Sequence, residues 1–399
     1  MKYPFTPEVL DALPEELAEL FRGLEDTLIT EICSRLKLAG ELNEVTVQDI
    51  KSLRAMGLPL EDIEKAIRET AKISREKLDA LFDDVIERNQ TYYTELIDKA
   101  GVTQPAAIVS GEEIEAIRRQ TKDEFTNLTQ SMGFLVRRGG NVVEILPAAR
   151  AYQWALDRAQ SEIMSGAISY NQAIKSAVKT LADGGVRRAR YDKDGKTRYD
   201  QIDVAVRRAV MTGINQVCQK YSEQSMERLE TDLVEVSAHR GARNTGSGPE
   251  NHAAWQGKVY QWIKEGRKRN RKYPDFVQVT GYGTGPGLGG WNCRHNFSPF
   301  VENVMERSYT NLDLEKIDLP PFEYEGKTYD QYHASQKQRE IERTLRKLRR
   351  EQAAFHAAGA TEDSQATSIR IRMLNDQYKQ FSKKAGLPMQ KERAKVLYP

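Results

Sequence analysis

Residues 45–89, VTVQDIKSLRAMGLPLEDIEKAIRETAKISREKLDALFDDVIERN, space their apolar side chains three and four apart. That period lines up one face of an α-helix and cannot line up one face of a strand, where the repeat is two. GLPLED and ISRE inside the run supply a stop and a start, so residues 6–100 are expected to fold as several amphipathic helices with acidic residues on the outer faces. With 39% hydrophobic and 30% charged residues, long helices with broad solvated faces suit the chain better than one thick core. A length of 399 residues calls for more than one domain.

Further along, GVTQPAAIVSGEE has the Gly, Pro and Ser of a connection, and Ser110 followed by Glu113 forms a capping-box pattern. Residues 112–183 read as three helices broken near RRGGN and SGAISY. RRARYDKDGKTRYDQ, 187–201, alternates around Asp194-Gly195 and reads as a β-hairpin. A helix from 201 to 228 follows, striped by Val204, Val206, Val210, Ile214 and Val217, and DLVEVSAHRGAR reads as a strand entering a loop. Residues 329–357 and 362–385 return to helix.

Between these helical parts, residues 236–305 differ in kind. They hold three of the five histidines, three of the four tryptophans and the six glycines of GYGTGPGLGGWNCRH. The expected fold class is therefore mainly α and multi-domain: long amphipathic helices flanking a small α+β central unit, Gly/His/Trp-rich, irregular and β-containing. Its expected divisions are an acidic helical region (1–110), a helical region with the hairpin (111–235), the central core (236–305), and a linker with basic helices (306–399).

No stretch approaches 18 consecutive apolar residues, and MKYPFTPEVLDALPEEL carries acidic residues where a signal peptide needs an apolar run, so a soluble protein without a membrane partner is expected. Cys33, Cys218 and Cys293 have no framework spacing and are expected to be reduced thiols.

The glycine run is not a phosphate loop. Gly285, Gly287 and Gly290 fit G-x-G-x-x-G, yet Gly290 is followed by Trp-Asn-Cys where a Walker loop needs Lys and Ser or Thr entering a helix. Two readings of the nearby ligand-type residues stay open. His239 and His252, thirteen apart, with the Cys293-x-His295 pair would make four ligands suited to tetrahedral zinc. Alternatively these side chains hydrogen-bond loop backbone, with Cys293 as a small buried apolar group. Cys293 beside a histidine and Arg294 also resembles a nucleophile with its base, but no complete nucleophile, base and oxyanion arrangement is legible, so the chain is not expected to be an enzyme.

Charge is unevenly distributed. Residues 1–100 carry 13 Lys/Arg against 22 Asp/Glu, while residues 251–300 carry eight basic residues against two acidic ones. In IKEGRKRNRKYPDF, the cations Lys264, Arg267, Lys268, Arg269, Arg271 and Lys272 lie between Trp262 and Tyr273, a pattern that fits phosphate contact with base stacking or a plain solubilising loop. In QKQREIERTLRKLRREQ, the seam Ile341, Leu345 and Leu348 favours helix packing over nucleic-acid proximity.

VSAHRGAR, HAAWQGKVY, GYGTGPGLGGWNCRHNFSPF and YEGKTYDQYHASQKQREIERTLR resemble the phage minor capsid protein 2 family, a relative of the phage Mu protein F-like head morphogenesis proteins. ALDRAQSEIMSGAISYNQAIKSAVKTLADGGV and DVAVRRAVMTGINQ fit the same family in the same order, so the resemblance covers about residues 5 to 355. It implies a structural minor head component of a tailed bacteriophage, present in few copies at the portal vertex. The partners it implies are the portal protein, a major capsid or scaffold protein, and packaged double-stranded DNA. It implies a place inside the capsid, and in the host cytoplasm during assembly. The motif residues it transfers are His239, Arg240, Arg243, His252, Trp255, Gly257 and Lys258, then Gly289, Asn292, Cys293, Arg294 and His295; it implies that the His/Cys set meets in space. The alternative carried beside it is a metal-dependent hydrolase or nuclease using His239, His252, Cys293 and His295.

Overall fold

The computed structural model describes residues 3–40, 60–102, 107–138, 142–165, 169–191, 196–264, 268–290 and 292–396. In chain order the elements begin with helices α1 (Pro7–Ala12), α2 (Glu15–Gly40), α3 (Leu60–Lys99) and α4 (Gly111–Ser131). Strands β1 (Gly133–Arg138) and β2 (Val142–Leu146), helices α5 (Ala148–Met164) and α6 (Tyr170–Gly184), strands β3 (Val186–Tyr191) and β4 (Thr197–Gln201) and helix α7 (Ile202–Arg228) follow. The central stretch holds β5 (Leu233–Val236), α8 (His252–Trp255), β6 (Val259–Gln261), α9 (Phe276–Thr280) and β7 (Phe297–Phe300). The chain ends with α10 (Asn311–Glu315), β8 (Phe322–Tyr324), β9 (Lys327–Tyr329), α11 (Gln331–Ala357) and α12 (Thr361–Ala385). The protein is mainly α with small β units.

Several elements follow directly from local sequence. Ser110 accepts from the Glu113 amide at 3.3 Å and donates to its carboxylate at 3.1 Å, so the capping box opens α4. Strands β3 and β4 pair antiparallel, Tyr191 opposite Thr197, as a hairpin reading requires; Asp194 and Gly195 lie outside the described residues. Two readings need correction. ISRE does not start a helix: Ser74 is buried inside α3 and donates to the Ala71 carbonyl at 3.0 Å, a back-bond within a continuing helix and not a cap. And the break at RRGGN, which divides α4 from α5 as expected, is not a bare connection but holds two strands. GFLVRR and VVEIL pair antiparallel as β1 and β2, Phe134 opposite Leu146, because alternating side chains bury Phe134 and Val136 on one face.

The chain divides into two compact units that interleave along the sequence. One comprises Leu17–Ser74, Phe125–Val206 and Gln338–Pro399. It contains the antiparallel sheet β2-β1-β3-β4, and its buried residues include Phe21, Leu28, Ile32, Phe134, Val186, Ile341, Leu345 and Leu348. The seam Ile341, Leu345 and Leu348 thus packs, and the neighbouring cations of α11 are partly buried with it. Arg346 reaches Glu25 at 2.8 Å and Asp26 at 3.0 Å, and Arg350 reaches Glu25 at 2.7 Å. Glu25 also accepts from the Val186 amide at 2.8 Å, which ties α2 to the first residue of β3. Burial raises the Glu25 carboxyl, but Arg350 and Arg346 outweigh it and hold the pKa at about 2.

The other unit comprises Met1–Glu16, Arg75–Glu124 and Arg207–Lys337. Its sheet has the order β6-β5-β7, with β5 antiparallel to both neighbours. Helix α3 buries Leu78, Phe82, Val85, Asn89, Tyr93 and Ile97, spaced three and four apart. The Tyr93 hydroxyl meets Ser222 Oγ at 2.6 Å, and Ser222 donates to the Phe297 carbonyl at 2.6 Å, so α3 and α7 are both keyed to β7. The core of this unit is Met226, Val234, Val236, Trp255, Tyr260, Phe276, Leu288, Cys293 and Phe297.

Glu25→Gln takes the carboxylate from buried Arg350 and one of the two carboxylates from buried Arg346. We expect a loss of about 3–5 kcal/mol in chemical denaturation. Because the folded carboxyl sits below its ordinary value of 4.5, its contribution is present above that pH and is lost as pH falls toward about 2. The variant's stability should therefore change less than the parent's across that acid range.

Candidate functional site

Strand β5 sets the site. Its pairing with β7 places Val236 opposite Phe297, and the pairing continues one step beyond: the Ser237 amide donates to the Asn296 carbonyl at 2.8 Å, and the Asn296 amide donates to Ser237 Oγ at 2.9 Å. The residue just before β7 and the residues just after β5 are therefore neighbours. His295 and His239 come face to face, with ring centroids 4.5 Å apart.

His252 arrives from the other side, at the first turn of α8. Asn251 caps that turn by accepting from the Ala254 amide, and Trp255 at its end is anchored by Nε1 donating to the Pro249 carbonyl at 3.1 Å. The Trp255 ring lies 4.6 Å from the His252 ring and 4.8 Å from the His295 ring. Cys293 reaches the same point at the exit of the glycine run, where tight turning demands glycine. A Cβ at Gly287 or Gly290 would strike the carbonyls of Gly281 and Gly285.

The hydrogen bonds decide which nitrogen of each ring carries a proton. Gln256 Oε1 accepts from the His239 amide at 3.0 Å, so it is an acceptor, and the His295 Nε2 lying 3.1 Å from it must be the donor. Nδ1 of His295 therefore keeps a lone pair, and Cys293 Sγ stands 3.6 Å from it. His252 donates from Nε2 to the Pro286 carbonyl at 2.9 Å, leaving its lone pair on Nδ1. His239 donates from Nδ1 to the Arg240 carbonyl at 2.8 Å, leaving its lone pair on Nε2. All three imidazoles are buried and neutral. Burial pulls His239 and His252 down to about 4, and burial with the neighbouring His239 and His252 pulls His295 well below its ordinary value. Burial also pushes the Cys293 thiol up.

Of the four ligand-type residues expected to meet, ligand atoms of His252, Cys293 and His295 lie within 4.8 Å of one another; His239 adjoins them through its ring and stands outside that group. The other motif residues hold backbone in place. Arg240 Nε donates to the Ile317 carbonyl at 3.1 Å, and the Arg243 carbonyl accepts from the Ala253 amide at 2.9 Å. Lys258 Nζ donates to the Ala254 carbonyl at 2.7 Å, and Arg294 faces Asp11 at 3.5 Å. Gly257, Gly289 and Asn292 all have positive φ, at 68°, 72° and 56°, and at Gly289 a Cβ would also strike Gln219.

The basic loop is built differently from the expected stacking pattern. Trp262 packs against Phe276, Tyr282 and Phe297, so its ring belongs to the core. Lys264 sits over that ring at 4.9 Å and pairs with Glu227 at 3.5 Å, while Lys272 pairs with Glu302 and lies 5.2 Å from the Tyr273 centroid. Lys268, Arg269, Arg271 and Lys272 are exposed; Arg267, like Trp291 of the motif, lies outside the described residues.

Sequence reasoning missed Gln256, the shared acceptor that fixes both His239 and His295. It sits in HAAWQGKVY between Trp255 and Gly257, and a polar amide wedged between a buried aromatic residue and a turn glycine is the one signal that points to it.

The family model described as phage minor capsid protein 2 matches residues 5–383. A protein of Lactococcus phage LL-H named "Structural protein" is 24% identical over 316 residues, 78% of this chain and 78% of that one. No solved structure matches the chain.

Gln256→Leu removes an acceptor from two buried donors while nearly keeping volume. At about 1–3 kcal/mol for each orphaned group, the unfolding transition of this unit should lose about 2–6 kcal/mol, read by tryptophan fluorescence in urea. A change within experimental error would show that the amide does not organise the cluster.

Proposed function

The chain belongs to the phage minor capsid protein 2 family, and from that membership we propose that it is a low-copy head component seated at the portal vertex of a tailed bacteriophage, where it contacts packaged DNA. The observation that carries this reading is the family match over residues 5–383, joined by the structural-protein relative from Lactococcus phage LL-H. Among the described residues no helix is long and apolar enough to cross a membrane.

The physical features supporting the finer reading are two surfaces of opposite sign. Glu61, Asp62, Glu64 and Glu69 are exposed on the first turns of α3, outnumbering the exposed Lys65 and Arg68 among them, and this acidic excess suits docking on a basic protein surface of the portal, scaffold or major capsid protein. Lys268, Arg269 and Arg271 are exposed on the basic loop and suit the phosphate backbone of double-stranded DNA.

The central cluster supports a holding role over turnover. A nucleophilic cysteine needs a depressed pKa and access to substrate, whereas Cys293 is buried and its thiol is pushed up. A general base needs a pKa near the working pH, whereas the three histidines are pulled well below it. The cluster fits a staple that gives a small irregular unit one shape.

Quantitative mass spectrometry of purified virions and of DNA-free procapsids, counted against the portal protein, tests this reading. We expect this polypeptide in both particles, at a level comparable with the portal protein and far below the major capsid protein. Absence from both particles would overturn it.

A further inference from the structure

We propose that His252, Cys293 and His295 form a structural binding site for one divalent cation of the zinc class. The proposal is independent of where in the particle the protein sits.

The first argument is convergence. Two separate stretches, the opening of α8 with His252 and the segment from the glycine run into β7 with Cys293 and His295, bring ligand atoms within 4.8 Å of one another, all from buried side chains. The second argument is protonation. Ligating histidines characteristically tie their second ring nitrogen to a carbonyl, which fixes the tautomer and aims the lone pair. His252 does this through Pro286 and His295 through Gln256, so both present Nδ1 as the free donor.

The third argument is spacing. Tetrahedral zinc with bonds of about 2.3 Å to sulfur and about 2.1 Å to nitrogen separates those two ligand atoms by about 3.6 Å. Cys293 Sγ and His295 Nδ1 are already 3.6 Å apart. The fourth is donor chemistry. One thiolate and two imidazoles suit zinc and its borderline-soft neighbours; calcium and magnesium, which want carboxylate and carbonyl oxygens, have none among the three.

Binding is a balanced exchange: the Cys293 thiol gives up its proton to solvent, the sulfur–metal bond forms, and both imidazoles bind already neutral. The gain is a cross-link within a unit whose strands β5, β6 and β7 have only three or four residues each.

The test uses the full chain, purified without a histidine tag and without chelator. Elemental analysis should find about one zinc per chain, falling to background in Cys293→Ser and in His252→Gln. Cobalt(II) added to chelator-stripped protein should produce a thiolate charge-transfer band in the near ultraviolet, absent in Cys293→Ser. Chelator should lower the melting temperature of the parent and leave that of His252→Gln unchanged. Background zinc in the parent together with no charge-transfer band on adding cobalt would overturn the proposal and leave a hydrogen-bonded Cys/His cluster. If Cys293→Ser does not fold, the parent's metal content and spectrum with His252→Gln still decide the matter.

Discussion

The register of β5 between β6 and β7 is the constraint on which the central unit depends. Val234 faces Tyr260 on one side and Pro299 on the other, and Val236 faces Phe297. A slip of one residue would turn every side chain of β5 to the opposite face, separating His239 from His295 and withdrawing Val234 and Val236 from the core they share with Trp255 and Phe297. So short a ladder specifies its register weakly through backbone alone. What pins it are side-chain bonds that only one register satisfies: Ser237 with Asn296, Gln256 with His239 and His295, and Ser222 with the Phe297 carbonyl. The polar groups of the cluster are thus as much a register device as a chemical site.

The unit containing Glu25 solves a different problem. Its elements are long enough to bury ample apolar surface, and its specificity comes from a few charges sunk into that surface. Glu25 accepts from the guanidinium groups of Arg346 and Arg350 on α11 and from the backbone of Val186 in β3, so a single carboxylate of α2 ties its own helix to two other stretches of chain. A buried pair of this kind contributes little net stability relative to apolar residues of the same shape, but breaking it leaves uncompensated buried charge. The basic character of α11 follows from this. Two of its arginines are spent inside the fold, so counting its cations overstates what it offers to an external polyanion.

Long-period features were legible in the sequence and short-range exceptions were not. Helices α3, α7, α11 and α12 stand where three-and-four spacing of apolar residues places them, and Ser110 caps where Ser and Glu three apart say it should. The β1–β2 hairpin was hidden because GFLVRR and VVEIL are five or six residues long and sit between strong helices, where a short apolar run reads equally well as helix. Ser74 misled because a serine before acidic residues looks the same in sequence whether it caps a turn or back-bonds within one; burial decides, and burial is a tertiary property. In the cluster, residue types and the glycine run were legible, but the division of labour was not. Gln256 matters through its position between two histidines that lie seventeen residues before it and thirty-nine after it.

Charge asymmetry along the sequence also changes meaning once the fold is known. The acidic N-terminal residues Asp11 and Glu15 pair with Arg207, and Asp11 also faces Arg294, so part of the negative excess is neutralised within the unit that uses it. Glu61, Asp62, Glu64 and Glu69, by contrast, stand exposed on α3, with Glu64 paired along its own helix to Arg68. Exposed pairs of that type are worth little and are readily exchanged for an external partner. The same distinction separates Lys264 and Lys272, matched to Glu227 and Glu302, from the exposed Arg269 and Arg271 beside them. A surface meant for a charged partner must keep charge that the fold does not itself consume, and by that criterion Arg269 and Arg271 count toward one where Asp11, Glu15, Lys264 and Lys272 do not.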